Sequence, residues 1–80
     1  MDKNQIFEEV KSIIVSELDI ESEKVTIDAS LESDLGADSL DAVEVIMALE
    51  EKFSISLPDE VAMDLKTVSD IVEYVASQQK

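Results

Sequence analysis

The stretch Asp38-Ser39-Leu40-Asp41-Ala42-Val43-Glu44-Val45-Ile46-Met47-Ala48-Leu49-Glu50-Glu51-Lys52-Phe53 decides how this chain folds. It contains neither glycine nor proline, and its apolar residues recur at helical spacing. It reads as a helix running to about Lys52. Asp38 is the expected N-cap, with Asp41 at N3, where the positive end of the helix dipole favours an acid. Gly36, just ahead, supplies backbone freedom for the approach turn. Advancing about 100° per residue from Leu40 at zero places Ala42, Val45, Ile46, Leu49 and Phe53 in one arc centred at about 190°. Leu40, Val43 and Met47 fall nearly opposite, at roughly 300–360°, with Glu44 and Glu51 beside them at roughly 20–40°. One helix thus carries two apolar stripes. The first is a core face. The second is either covered by a neighbouring element, such as the long preceding connection, or left open as an acid-rimmed partner face, where methionine would adapt to several basic surfaces.

Outward from this helix, the rest of the chain also reads as helical. Ile6, Phe7, Val10, Ile13, Ile14 and Leu18 share one stripe, and Asp2 with Gln5 has capping-box spacing, so a first helix is expected over about residues 3 to 18. A long connection follows, residues 19 to 38, whose Ile20, Val25, Ile27, Leu31 and Leu35 follow no sustained period and are expected to pack on the core. Pro58, Asp59 and Glu60 look like a helix start, but Val61 to Leu65 leave room for only a short third helix. Thr67 and Asp70 repeat the cap spacing ahead of Val68, Ile71, Val72 and Val75, which predict a last helix ending near Ser77. The expected fold is all-α: a small four-helix bundle with one short helix and a long loop between the first two.

Composition narrows the function. The 80 residues are 45% hydrophobic, enough for one small core and so for one domain. Net charge is −14, every cation is a lysine, and there is no histidine and no cysteine. Such a chain repels phosphate, so nucleic acid is not an expected partner, and neither is an anionic membrane surface. Disulfides, thiolate nucleophiles, zinc–thiolate sites and the usual neutral-pH base are all absent. The paired carboxylates have no evident cleft to shift their pKa, which makes an enzyme the weakest reading. Twelve of the twenty acids lie between Glu17 and Glu51, against one lysine, Lys24. Most are expected to form a solvated face. An EF-hand loop needs an acid five residues before its glycine; Leu31 stands there relative to Gly36, so no structured metal site is expected beyond weak divalent screening. The longest apolar run, Val45 to Leu49, is far short of a membrane span, and the first residues do not resemble a signal peptide, so a cytoplasmic location is expected.

Among ten serines, Ser39 differs from the rest. If Asp38 caps the helix, Ser39 is N1, its hydroxyl free at the positive helix end, where a phosphate ester would meet unpaired backbone N–H groups. The alternative is that Ser39 is itself the cap. At this point Leu35-Gly36-Ala37-Asp38-Ser39-Leu40-Asp41 resembles the prosthetic-group attachment motif of acyl carrier proteins. The likeness extends through Ser39 to Phe53, Leu57-Pro58-Asp59 and Leu65-Lys66-Thr67-Val68, in the order and spacing of bacterial fatty-acid acyl carrier proteins.

The resemblance implies a single carrier domain over residues 1 to 80, with 4′-phosphopantetheine covalent at Ser39. A separate phosphopantetheinyl transferase using magnesium would supply it from coenzyme A. Growing fatty-acyl chains would ride as thioesters on its thiol, enclosed between helices, and be shuttled among fatty-acid synthesis enzymes with basic docking surfaces. Family recognition positions fall on Asp38, Leu40, Asp41, Val43, Glu44, Met47, Glu50 and Glu51. A monomer without stable membrane insertion is expected. Two rivals stand beside this reading: a carrier for polyketide or other specialised acyl groups, and an acidic decoy that mimics nucleic acid.

Overall fold

Helix starts in this chain are written by short side chains that satisfy the first free N–H groups. The computed structural model describes residues 2–78, apart from the side chains of Ser39 and Asp59. α1 runs Lys3–Leu18 behind a reciprocal capping box: Gln5 N–H donates to Asp2 Oδ1 at 2.8 Å, and Asp2 N–H donates to Gln5 Oε1 at 3.2 Å. α2 runs Ser39–Phe53 behind Asp38, whose Oδ1 accepts from Asp41 N–H at 2.9 Å. α3 is a single turn, Asp59–Ala62, opened by the Pro58 carbonyl, which accepts from Val61 and Ala62. It is shorter than the stretch to Leu65 that the sequence allowed; beyond it Met63 and Asp64 form a turn, with Asp64 N–H donating to the Val61 carbonyl and Leu65 N–H to that of Ala62. α4 runs Val68–Gln78, and Asp70 N–H donates to Thr67 Oγ1 while Thr67 N–H donates to Asp70 Oδ2, both at 3.2 Å. The four-helix expectation is met among the described residues. No helix there is long and apolar enough to cross a membrane.

α1 packs against both α4 and α2. Ile6, Val10 and Ile14, four residues apart, form its buried line, opposite Val68, Ile71, Val72 and Val75 of α4 and Val45, Leu49 and Phe53 of α2. Each such side chain contributes roughly 1.5–3 kcal/mol by leaving water. Two exposed ion pairs join the same helices, Lys3 to Glu73 at 2.8 Å and Lys52 to Glu9 at 3.1 Å. Exposed pairs of this kind are worth about 0.2–1 kcal/mol, so burial dominates.

The long connection is anchored rather than loose. After a 3-10 turn at Ser22–Lys24, it buries Val25, Ala29, Leu31, Leu35 and Ala37. Its backbone ties to the start of α4: Leu31 N–H donates to Lys66, Val68 N–H to Ala29 and Ser69 N–H to Ile27, at 2.8–3.0 Å. An isolated antiparallel bridge joins Ser30 and Thr67. Ile27 does not pack on the core as expected. The turn closed by Ala29 N–H on the Thr26 carbonyl buries Val25 and Ala29 and turns Ile27 outward, so that it contributes its carbonyl instead. Gly36 has φ +70°, the left-handed conformation that admits the chain to Asp38.

Candidate functional site

The cap at Asp38 is reciprocal, since Asp38 N–H donates to Asp41 Oδ2 at 3.4 Å, and it fixes where α2 begins. Asp38 has extended backbone angles, φ −88° and ψ −174°, and Ser39 is the first helical residue. The alternative in which Ser39 caps the helix is therefore set aside. The expected freedom of its hydroxyl lies outside the described residues. Both flanking residues, Asp38 and Leu40, are exposed. A phosphodiester suits this position, since the first turn of a helix presents backbone N–H groups and the positive end of the dipole.

The two stripes of α2 have opposite fates. Val45, Ile46, Leu49 and Phe53 are buried, and Ala42 is half-buried. On the other side Leu40 is 73% exposed, Val43 53% and Met47 61%. Neither the long connection nor another described element covers them. Asp38, Glu44 and Glu51 are exposed around this stripe, and Asp41 is half-buried within the cap. Glu50 stands apart from the other acids. It is half-buried, and its Oε2 accepts from Leu57 N–H at 2.9 Å.

Between α2 and α3 lies a groove of about 540 Å³. α2 contributes Ala42, Val43, Ile46, Met47 and Glu50, and the facing wall is Leu57, Ala62 and Met63. Met63 is 76% exposed at its mouth. No sequence pattern marks Leu57, Ala62 and Met63 as residues of a site. Met63 belongs to no helical period, and only the return of the chain across α2 gives it a role. Among the described residues, no three acids are placed together to hold a metal ion.

These features converge on one helix: a capped start at Ser39, an exposed apolar stripe edged by acids, and an apolar groove alongside. The sequence matches, over residues 8–75, the family described as phosphopantetheine attachment site. The chain belongs to this family. It is also similar to the acyl carrier protein of Akkermansia muciniphila, 54% identical over 79 residues covering 99% of both chains. The acyl carrier protein of Thermosynechococcus vestitus is 49% identical over 75 residues, 94% of this chain and 93% of the relative. The family's prosthetic group is phosphopantetheine, and its members are carriers rather than catalysts. Membership decides against the acidic decoy, which would need no attachment motif.

Proposed function

We propose that the chain is an acyl carrier protein of fatty-acid synthesis that bears 4′-phosphopantetheine on Ser39 and shuttles growing acyl chains as thioesters between enzymes. The observation that carries this is the position of Ser39 as first residue of a capped helix whose outer side is an exposed, acid-edged apolar stripe. The arm supplies the thiol that a chain with no cysteine does not have. Asp38, Leu40, Asp41, Val43, Glu44, Met47 and Glu51, with Glu50 at the inner edge, form the docking face for the phosphopantetheinyl transferase and for enzymes with basic surfaces. Complementary charge steers their encounter, and the apolar stripe supplies contact area. The groove beside α2 receives the acyl chain, in keeping with its apolar lining and with Ser39 heading the same helix. Partners of this kind place its work in the cytoplasm.

The test is covalent. Incubation with coenzyme A, magnesium and a phosphopantetheinyl transferase is expected to add one arm to the wild type and none to Ser39→Ala. The variant is expected to keep its helicity and to lose about 0.5 kcal/mol or less, because the cap belongs to Asp38. Labelling of Ser39→Ala would place attachment elsewhere.

A further inference from the structure

The connection between α2 and α3 is held at one peptide plane. Ser54 closes α2 in the left-handed conformation, φ 54°, and Ile55 N–H returns to the Glu50 carbonyl at 3.2 Å. Farther on, the carbonyl of Ser56 accepts from Tyr74 Oη of α4 at 2.9 Å. The next amide, Leu57 N–H, donates to Glu50 Oε2 of α2 at 2.9 Å. These two groups belong to the same peptide unit, which is rigid and planar. Gripping its carbonyl from α4 and its N–H from α2 fixes its position and its rotation together. The two bonds also reinforce each other, because a proton donated to the carbonyl polarises the amide toward its own acceptor, here a carboxylate.

The clamped unit leads directly into the wall of the groove. Leu57, 5% exposed, lines it, and Pro58 then opens α3. After α3 the chain is tied again where the Lys66 carbonyl accepts from Leu31 N–H at 3.0 Å. The facing wall is thus slung between two anchors, with the half-buried Val61 and Ala62 packing its middle.

We propose that Glu50 and Tyr74 clamp the Ser56–Leu57 peptide and thereby set the width of the groove, and with it the length of acyl chain the protein shelters. This inference rests on the reading that the groove receives the acyl chain. It makes Glu50 a positioning residue that acts through its acceptor oxygen, and it gives Tyr74, on a different helix, the same role.

The two roles separate by substitution. Glu50→Gln keeps an acceptor for Leu57 N–H and removes the charge, Glu50→Ala removes both, and Tyr74→Phe removes one oxygen atom while keeping the ring. Each variant and the wild type is loaded with saturated acyl chains of increasing length, and the rise in thermal midpoint on loading is measured for each. Amide exchange at Leu57 is followed in the unloaded proteins. In the wild type the rise is expected to grow with chain length and then stop. In Glu50→Ala and Tyr74→Phe the stopping point moves to longer chains, and the Leu57 amide exchanges on the order of tenfold faster. Glu50→Gln, which keeps a weaker neutral acceptor, lies nearer the wild type than Glu50→Ala does. Unchanged stopping points in both Glu50→Ala and Tyr74→Phe would overturn the clamp. So would a Glu50→Gln that matches Glu50→Ala while Tyr74→Phe matches the wild type, since charge would then be what Glu50 supplies. A wild type that gains nothing from any chain would refute the groove reading itself, and the length gauge with it.

Discussion

The α1–α4 side of the molecule and the α2–α3 side are built from similar apolar residues and finished differently. On the first, two long helices close their stripes on each other, and Ile6, Val10, Ile14, Val68, Ile71 and Val75 have no contact with solvent. On the second, α2 packs one stripe on α1 while its other side meets only a four-residue helix, so a groove stays open and Leu40, Val43, Met47 and Met63 remain exposed. A short opposing helix cannot cover a fifteen-residue one. The contrast divides the labour of a small chain: one side supplies stability, and the other gives it up to offer a surface and a space.

Substitution gives the largest effect that could break this division. Ile71→Ala, on the closed side, is expected to cost about 2–5 kcal/mol in chemical denaturation, because it leaves a cavity in a packed core. Met47→Ala, on the open side, is expected to cost about 0.5 kcal/mol or less while weakening acyl transfer by partner enzymes. Equal destabilisation by the two would make the exposed stripe part of the core. Ile46 straddles the division, being buried and also lining the groove, so its truncation is expected to affect stability and cargo together.

A second, smaller effect concerns charge, since a net charge of −14 on a small domain opposes compaction. Raising ionic strength or adding magnesium or calcium is expected to raise the thermal midpoint by several degrees, as about 1 kcal/mol corresponds to about 4–8 °C at this size. A midpoint independent of both would mean that the acids repel one another too weakly to matter. The smallest effect on the fold is expected from Glu44→Lys, on the rim of the open face. Its stability is unchanged within about 0.5 kcal/mol. Its association with a basic partner enzyme is expected to slow several-fold at low salt and to approach the wild type at high salt. Normal association at low salt would move electrostatic recognition to another part of the acidic surface.

Much of this architecture is legible in the sequence because its causes are local. Asp2 with Gln5, Asp38 with Asp41 and Thr67 with Asp70 lie three residues apart, and each marks a helix start. The two stripes of α2 follow from the helical period alone, although whether the second was covered was a tertiary question. What stayed illegible depends on residues brought together from a distance. The groove needs Leu57, Ala62 and Met63 to return across α2. The clamp joins residues seven and eighteen positions apart, and the bridge between Ser30 and Thr67 spans more of the chain still. The outward turn of Ile27 is illegible because an irregular connection has no period to say which side chains turn inward. Glu50, identified only as an acid on a recognition helix, is distinguished from Glu51 by a hydrogen bond that no pattern announces.

The central claim is that α2 begins at a serine which carries the arm. The measurement that tests it most directly is the intact mass of the protein purified from the cells that make it, followed by mapping of any added mass to a peptide. The account predicts one phosphopantetheine group, alone or extended by an acyl chain, on the peptide containing Ser39. An unmodified chain from cells with an active transferase, or an arm on any other residue, would contradict it.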